Sequence, residues 1–142
     1  MKKIFIALTV VLSLSTLAAC GGNNSNSNSS EQNEAALVND IEVDEFKSLI
    51  KDKPGIILDV RTPGETSSGV VEGAVIIDIT QSDFKEKISK LDKTKPIYVY
   101  CKVGGRSSNA SQKLVDLGYT QVFNVMGGMD GWKAKGYPTV NP

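Results

Sequence analysis

The sequence predicts an α/β fold, with a parallel sheet of about five strands flanked by helices on both faces. Three observations predict it. Short runs of β-branched and aromatic residues alternate with segments of helical apolar spacing, the order expected of βαβ units. Runs such as Gly55-Ile56-Ile57-Leu58-Asp59-Val60 are nearly continuous in apolar residues, as strands covered on both faces are. Proline and glycine punctuate the boundaries, at Pro54-Gly55 and at Pro96.

The first 19 of the 142 residues stand outside that pattern. Lys2 and Lys3 open the chain, and Ile4 to Leu14 is almost entirely apolar. This is the pattern of a secretory signal, too short and wrongly flanked for a permanent membrane span. Leu17-Ala18-Ala19-Cys20 is similar to the lipobox of bacterial lipoproteins. That resemblance implies cleavage before Cys20 and lipid attachment to its sulfur. Residues 20–37 then form a lipidated cysteine and an Asn/Ser-rich tether that cannot bury a core. The domain proper is expected over residues 38–142, anchored to the cell membrane and facing its extracytoplasmic side.

Within the domain, Val38 to Ile41 is a short strand candidate. Val43, Phe46, Leu49 and Ile50 fall on one helical face, and Pro54-Gly55 ends that helix. The Gly55–Val60 strand ends at Thr62-Pro63-Gly64. Ala74 to Ile79 is expected to be another buried strand. Phe84, Ile88 and Leu91 mark a second amphipathic helix. Ile97 to Tyr100 is a strand, and Ala110, Leu114 and Leu117 mark the helix after it, with Gly118 as its stop. Val122 to Val125 is the last strand, and Trp132 sits in the core from a short terminal helix.

Composition narrows the function. Basic and acidic residues are 16 each. Without Lys2 and Lys3 the remainder carries 14 basic against 16 acidic groups, a net of −2. No basic excess points to nucleic acid. The absence of histidine excludes Ser-His and Cys-His catalysis and removes the usual zinc imidazoles, so no metal and no cofactor is expected. A monomer is expected. The chain has two cysteines. With Cys20 lipidated, Cys101 is the one free thiol, which in an exported protein flags reactivity.

Cys101 follows the Ile97–Tyr100 strand and precedes a helix, so it lies at the carboxyl edge of the sheet, where ligands of open parallel sheets bind. The site is expected at the surface. Amides at a helix start and the positive end of its dipole favour an anion. Gly104 and Gly105 let the loop curl so that amides point inward, and Lys102 and Arg106 add charge. A thiol there ionises more readily than a free cysteine.

Cys101-Lys102-Val103-Gly104-Gly105-Arg106-Ser107 resembles the active-site loop of rhodanese-like sulfurtransferase domains, in which a cysteine carries a persulfide. Leu58-Asp59-Val60-Arg61-Thr62-Pro63-Gly64-Glu65 is similar to that family's first signature, and Gly127-Gly128-Met129-Asp130-Gly131-Trp132 to its last. The resemblance implies a single rhodanese-like domain and an enzyme of the thiosulfate sulfurtransferase type. Cys101 would be the nucleophile, and Lys102, Val103, Gly104, Gly105 and Arg106 would bind the substrate. Asp59 and Arg61 would brace the site, with Arg61 paired to Glu65. The implied partners are a small anionic sulfur donor and a thiol, cyanide or protein-cysteine acceptor. A sulfur carrier or partner-docking module is the alternative.

Two departures bear on that expectation. Members of the family usually carry Gly-His-Ile after the first signature, and here the run is Gly69-Val70-Val71. The resemblance then implies altered packing there, with catalysis retained. Cysteine-dependent phosphatases use a loop one residue longer. Here only residues 102 to 105 separate Cys101 from Arg106, so a phosphatase or arsenate reductase ranks below sulfur transfer.

Overall fold

The computed structural model describes residues 37–142. The signal peptide, Cys20 and the tether therefore lie outside the described residues, apart from Leu37. Five strands and five helices alternate in the expected order. They are β1 (Val38–Ile41), α1 (Val43–Asp52), β2 (Ile56–Asp59), α2 (Pro63–Thr66) and β3 (Val75–Ile76), followed by α3 (Phe84–Ser89), β4 (Ile97–Tyr100), α4 (Gly105–Asp116), β5 (Val122–Val125) and α5 (Gly128–Ala134). The sheet order is β1-β5-β4-β2-β3, and every pairing is parallel.

β4 lies between β5 and β2, and all four of its residues are buried. The period-two alternation of a strand divides them between two cores. Ile97, Val99 and Cys101 face one cluster with Phe84 and Ile88 of α3 and Ala110 and Leu114 of α4. Tyr98 and Tyr100 face the other, with Phe46 of α1 and Met129 and Trp132 of α5. Each fully buried side chain of this size contributes about 1.5–3 kcal/mol by leaving water. Trp132 is in the core as expected, its ring centroid 5.4 Å from that of Phe46 and its indole N–H donating to the Pro138 carbonyl at 2.8 Å.

Two elements differ from expectation. The Ala74–Ile79 run yields only the two-residue β3, and Val75 and Ile76 are exposed. It pairs only with β2, at the edge of the sheet, so one side of the strand has no neighbour. Ile77 alone of the run is buried. α3 stops at Ser89, two residues short of Leu91. The Asp92 carboxylate accepts from Thr94 N–H at 2.9 Å, and this turn competes with helix continuation. Leu91 still packs on the core, from the turn.

Candidate active site

Cys101 continues the alternation of β4 and points its side chain toward α4. Its residue exposure is 1%, so the expected surface position is corrected: the thiol lies beneath the loop that follows it. The loop turns back at Gly104, whose φ of +118° suits glycine alone. That turn brings the Gly104 N–H to 3.1 Å from Cys101 Sγ. Gly105, by contrast, is the first residue of α4 and has no positive φ. A Cβ there would meet nothing within 4 Å. The curl expected of both glycines rests on Gly104.

Burial pushes the Cys101 thiol up. Hydrogen bonding from the Ser107 hydroxyl and from the amides of Ser107, Gly104 and Val103 outweighs burial and holds it below its ordinary value. The Ser107 Oγ stands 3.6 Å from Sγ. Amides at a helix start thus act on the sulfur as the sequence suggests.

The charges around the cradle pair differently from expectation. Arg61 does not form its ion pair with Glu65. Its Nε and Nη2 reach the Asp59 carboxylate at 2.9 and 2.6 Å, and both residues are buried. Nη2 also donates to the Gly69 carbonyl, and Nη1 to the Glu65 carbonyl. Separation by two residues at the end of a strand puts Asp59 and Arg61 on the same side. Burial demands that each charge be matched, and Asp59 is the nearer carboxylate. These two residues brace the segment between β2 and β3.

The Glu65 side chain instead takes Arg106, with hydrogen bonds of 2.6 and 2.8 Å. The same carboxylate accepts from the Thr62 N–H and hydroxyl, closing a capping box at the start of α2. Arg106 holds the Glu65 carboxyl down at about 2. Arg106 is therefore aimed by α2 as well as by α4. Lys102 and Val103 are exposed on the loop.

The last glycine-rich run supports the loop from behind. The N–H groups of Met129 and Asp130 donate to the Cys101 and Lys102 carbonyls at 2.9 and 3.0 Å. A Cβ on Gly128 would collide with those same carbonyls, standing 2.7 Å from that of Lys102. An open cleft of about 230 Å³ adjoins this contact, lined by Arg61, Glu65, Ser68, Lys102, Asp130 and Lys133 among others.

Val70 and Val71, where histidine would be usual for the resembled family, are buried. Val70 exchanges two backbone hydrogen bonds of 2.9 Å with Val140. An apolar side chain thus closes this place without a polar partner. Asn124 and Asp40 were not singled out in the sequence, yet they join the site. Ser107 Oγ contacts Asn124 Oδ1 at 2.6 Å, and Asn124 Nδ2 donates to Asp40 at 2.8 Å. A signal was present: Asn124 is the one polar residue in Val122-Phe123-Asn124-Val125.

A parallel α/β sheet with a cysteine at the carboxyl end of its central strand, under the N-terminus of the next helix, defines a cysteine-cradle domain. Residues 42–135 match the model of the rhodanese-like domain. The chain belongs to the rhodanese-like domain family. It is 30% identical over 107 residues to a sulfurtransferase of Allochromatium vinosum, covering 75% of this chain and 98% of that one. It is 33% identical over 91 residues to the thiosulfate sulfurtransferase GlpE of Coxiella burnetii, covering 64% and 82%. A crystal structure of a rhodanese-related protein from Thermoplasma volcanium superposes with a TM-score of 0.64 at 33% identity, covering 72% of this chain and 97% of that one.

Proposed function

We propose that the domain is a sulfurtransferase in which Cys101 carries sulfane sulfur. The observation that carries this reading is the Gly104 N–H at 3.1 Å from a thiol held below its ordinary value. The Cys101 thiolate attacks the outer sulfur of thiosulfate. The new S–S bond forms as the bond to the inner sulfur breaks, and sulfite leaves with that electron pair. The product is a cysteine persulfide anion. Loop amides stabilise it, and Arg106 and Lys102 draw the anionic donor in. An acceptor such as cyanide or a thiolate then attacks the outer sulfur and returns the Cys101 thiolate. A low-molecular-weight persulfide serves as donor by the same displacement.

The names of the Allochromatium and Coxiella relatives support this reading. The Leu17-Ala18-Ala19-Cys20 run supports its placement: the domain is held at the cell membrane by a lipid on Cys20 and works on the extracytoplasmic side. Among the described residues, no helix is long and apolar enough to cross a membrane.

The test is continuous turnover. The protein is supplied with thiosulfate and cyanide, and thiocyanate is followed over many equivalents. Multiple turnovers are expected. A single equivalent released per protein would favour the sulfur-carrier alternative, and none would contradict the proposal.

A further inference from the structure

A line of polar groups, none of them lining the cleft, runs from the sulfur across two strands. Cys101 Sγ is 3.6 Å from Ser107 Oγ, which is 2.6 Å from Asn124 Oδ1. Asn124 Nδ2 is 2.8 Å from Asp40 Oδ1. Asp40 on β1 and Asn124 on β5 are direct register partners. Ser107 and Asn124 are buried, while Asp40 is exposed.

The chemistry of the groups fixes the direction of this line. An ionised carboxylate only accepts, so Asn124 must turn its NH₂ toward Asp40. Its carbonyl then faces Ser107, and a carbonyl only accepts. The single proton of Ser107 is therefore drawn to Asn124 in the shortest contact of the line. With its proton toward Asn124, Ser107 presents a lone pair to the sulfur; turned the other way, across the longer 3.6 Å contact, it gives the hydrogen bond that holds the thiol down. A lone pair suits a protonated thiol and opposes a thiolate or persulfide anion. The loop amides stabilise an anionic sulfur in either case, but for Ser107 to add to them its hydroxyl must turn and give up its bond to Asn124.

We propose that Asp40, acting through Asn124, sets the direction of the Ser107 hydroxyl and is thereby a positioning residue for the sulfur of Cys101. It restrains the anionic form of the sulfur until substrate or persulfide chemistry draws the proton over. The proposal rests on the reading of Cys101 as the reacting group, but not on any particular donor. Removing the Asp40 carboxylate frees Asn124 to rotate and present its NH₂ to Ser107. The hydroxyl proton then goes to sulfur. The Gly104 carbonyl, 2.9 Å from Ser107 Oγ, is the other acceptor for this proton, and being neutral it competes less well than an anionic sulfur. A charged acceptor holds the proton better than a neutral one.

Other charges also face Cys101. Arg106 comes from α4 with Glu65 of α2 upon it, Lys102 stands on the loop, and Asp78 lies near Arg106. None of them touches the Ser107–Asn124–Asp40 line, so the experiment holds them constant.

The test is titration of the full chain, following the ultraviolet absorbance of the thiolate. The same titration of a Cys101→Ser partner is subtracted, which removes Cys20 and the tyrosines. Asp40→Ala is compared with wild type, and Ser107→Ala/Asp40→Ala with Ser107→Ala. Asp40→Ala should lower the midpoint by about one pH unit, giving about tenfold more thiolate at a pH below it, as one hydrogen bond to a charged atom commands. In the Ser107→Ala background the same change should leave the midpoint where it was. An unchanged midpoint in Asp40→Ala would overturn the proposal. An equal shift in both backgrounds would overturn it too, because the carboxylate would then act through space. Neither readout needs sulfur transfer, so failure of that activity is seen separately.

Discussion

Glu65 and Arg106 lie 41 residues apart and meet through two hydrogen bonds of 2.6 and 2.8 Å, joining the first signature of the domain to the cysteine loop. The pair turns a guanidinium beside the thiol into a fixed one. It also lowers the net charge that an incoming anion meets, leaving Lys102 as the exposed cation of the loop.

The pair links stability to pH. The Glu65 carboxyl is held down from 4.5 to about 2 in the folded protein. A depressed carboxyl stabilises the fold above its unfolded value and loses that contribution as pH falls toward the folded value. The side chains are 34% and 29% exposed, so solvent screening discounts the full linkage. Glu65→Gln should cost about 1–2 kcal/mol at neutral pH. The gap to wild type should close between about pH 4.5 and pH 2. Urea unfolding at several pH values measures it, and a gap that widens on acidification would contradict the assignment.

The Asp59–Arg61 pair is of another kind, since both partners are buried. Removing one leaves an uncompensated charge in the core. Arg61→Leu should destabilise the domain by about 3–5 kcal/mol. Denaturant midpoints check this. A loss no larger than that of Glu65→Gln would show that the pair is solvated in solution.

Arg106→Ala should reduce sulfur transfer from thiosulfate more than transfer from a neutral persulfide donor. A doubly charged donor depends on the guanidinium for attraction, and a neutral one does not. Initial rates with both donors give the comparison. Equal losses would mean that Arg106 only shapes the loop through Glu65.

The sheet was legible because parallel strands buried on both faces leave near-continuous apolar runs, and helices leave an apolar stripe. Ile97–Tyr100 and the Ala110–Leu114 stripe show this directly. The Val75–Ile76 edge was not legible, because a strand paired on one side has the same apolar spelling as an interior one. Cys101 and its loop were legible from residue order. The depth of the thiol was not, since it follows from how far α4 closes over β4. The partners of the charges were also hidden. The Thr62…Glu65 spacing announces a capping box, but nothing local to it announces Arg106. Asp40 and Asn124 meet only through strand register, which a single sequence does not display.

The mature chain should begin at Cys20 and carry lipid on its sulfur. Mass spectrometry of the N-terminus of the membrane fraction decides this. Cys20→Ser should release the domain without unfolding it, because the Gly-, Asn- and Ser-rich sequence after Cys20 has no apolar run with which to build a core. A mature chain with an unmodified Cys20 would contradict the anchor.

The central claim is that Cys101 accepts sulfane sulfur. Its most direct test is the intact mass of the protein after exposure to thiosulfate and removal of excess reagent. Wild type should gain the mass of one sulfur atom, located on the peptide carrying Cys101 and released by cyanide. Cys101→Ser, which replaces the thiolate with a far weaker nucleophile, should gain nothing. A wild-type protein that stays unmodified, or a Cys101→Ser variant that gains sulfur equally, would contradict the account.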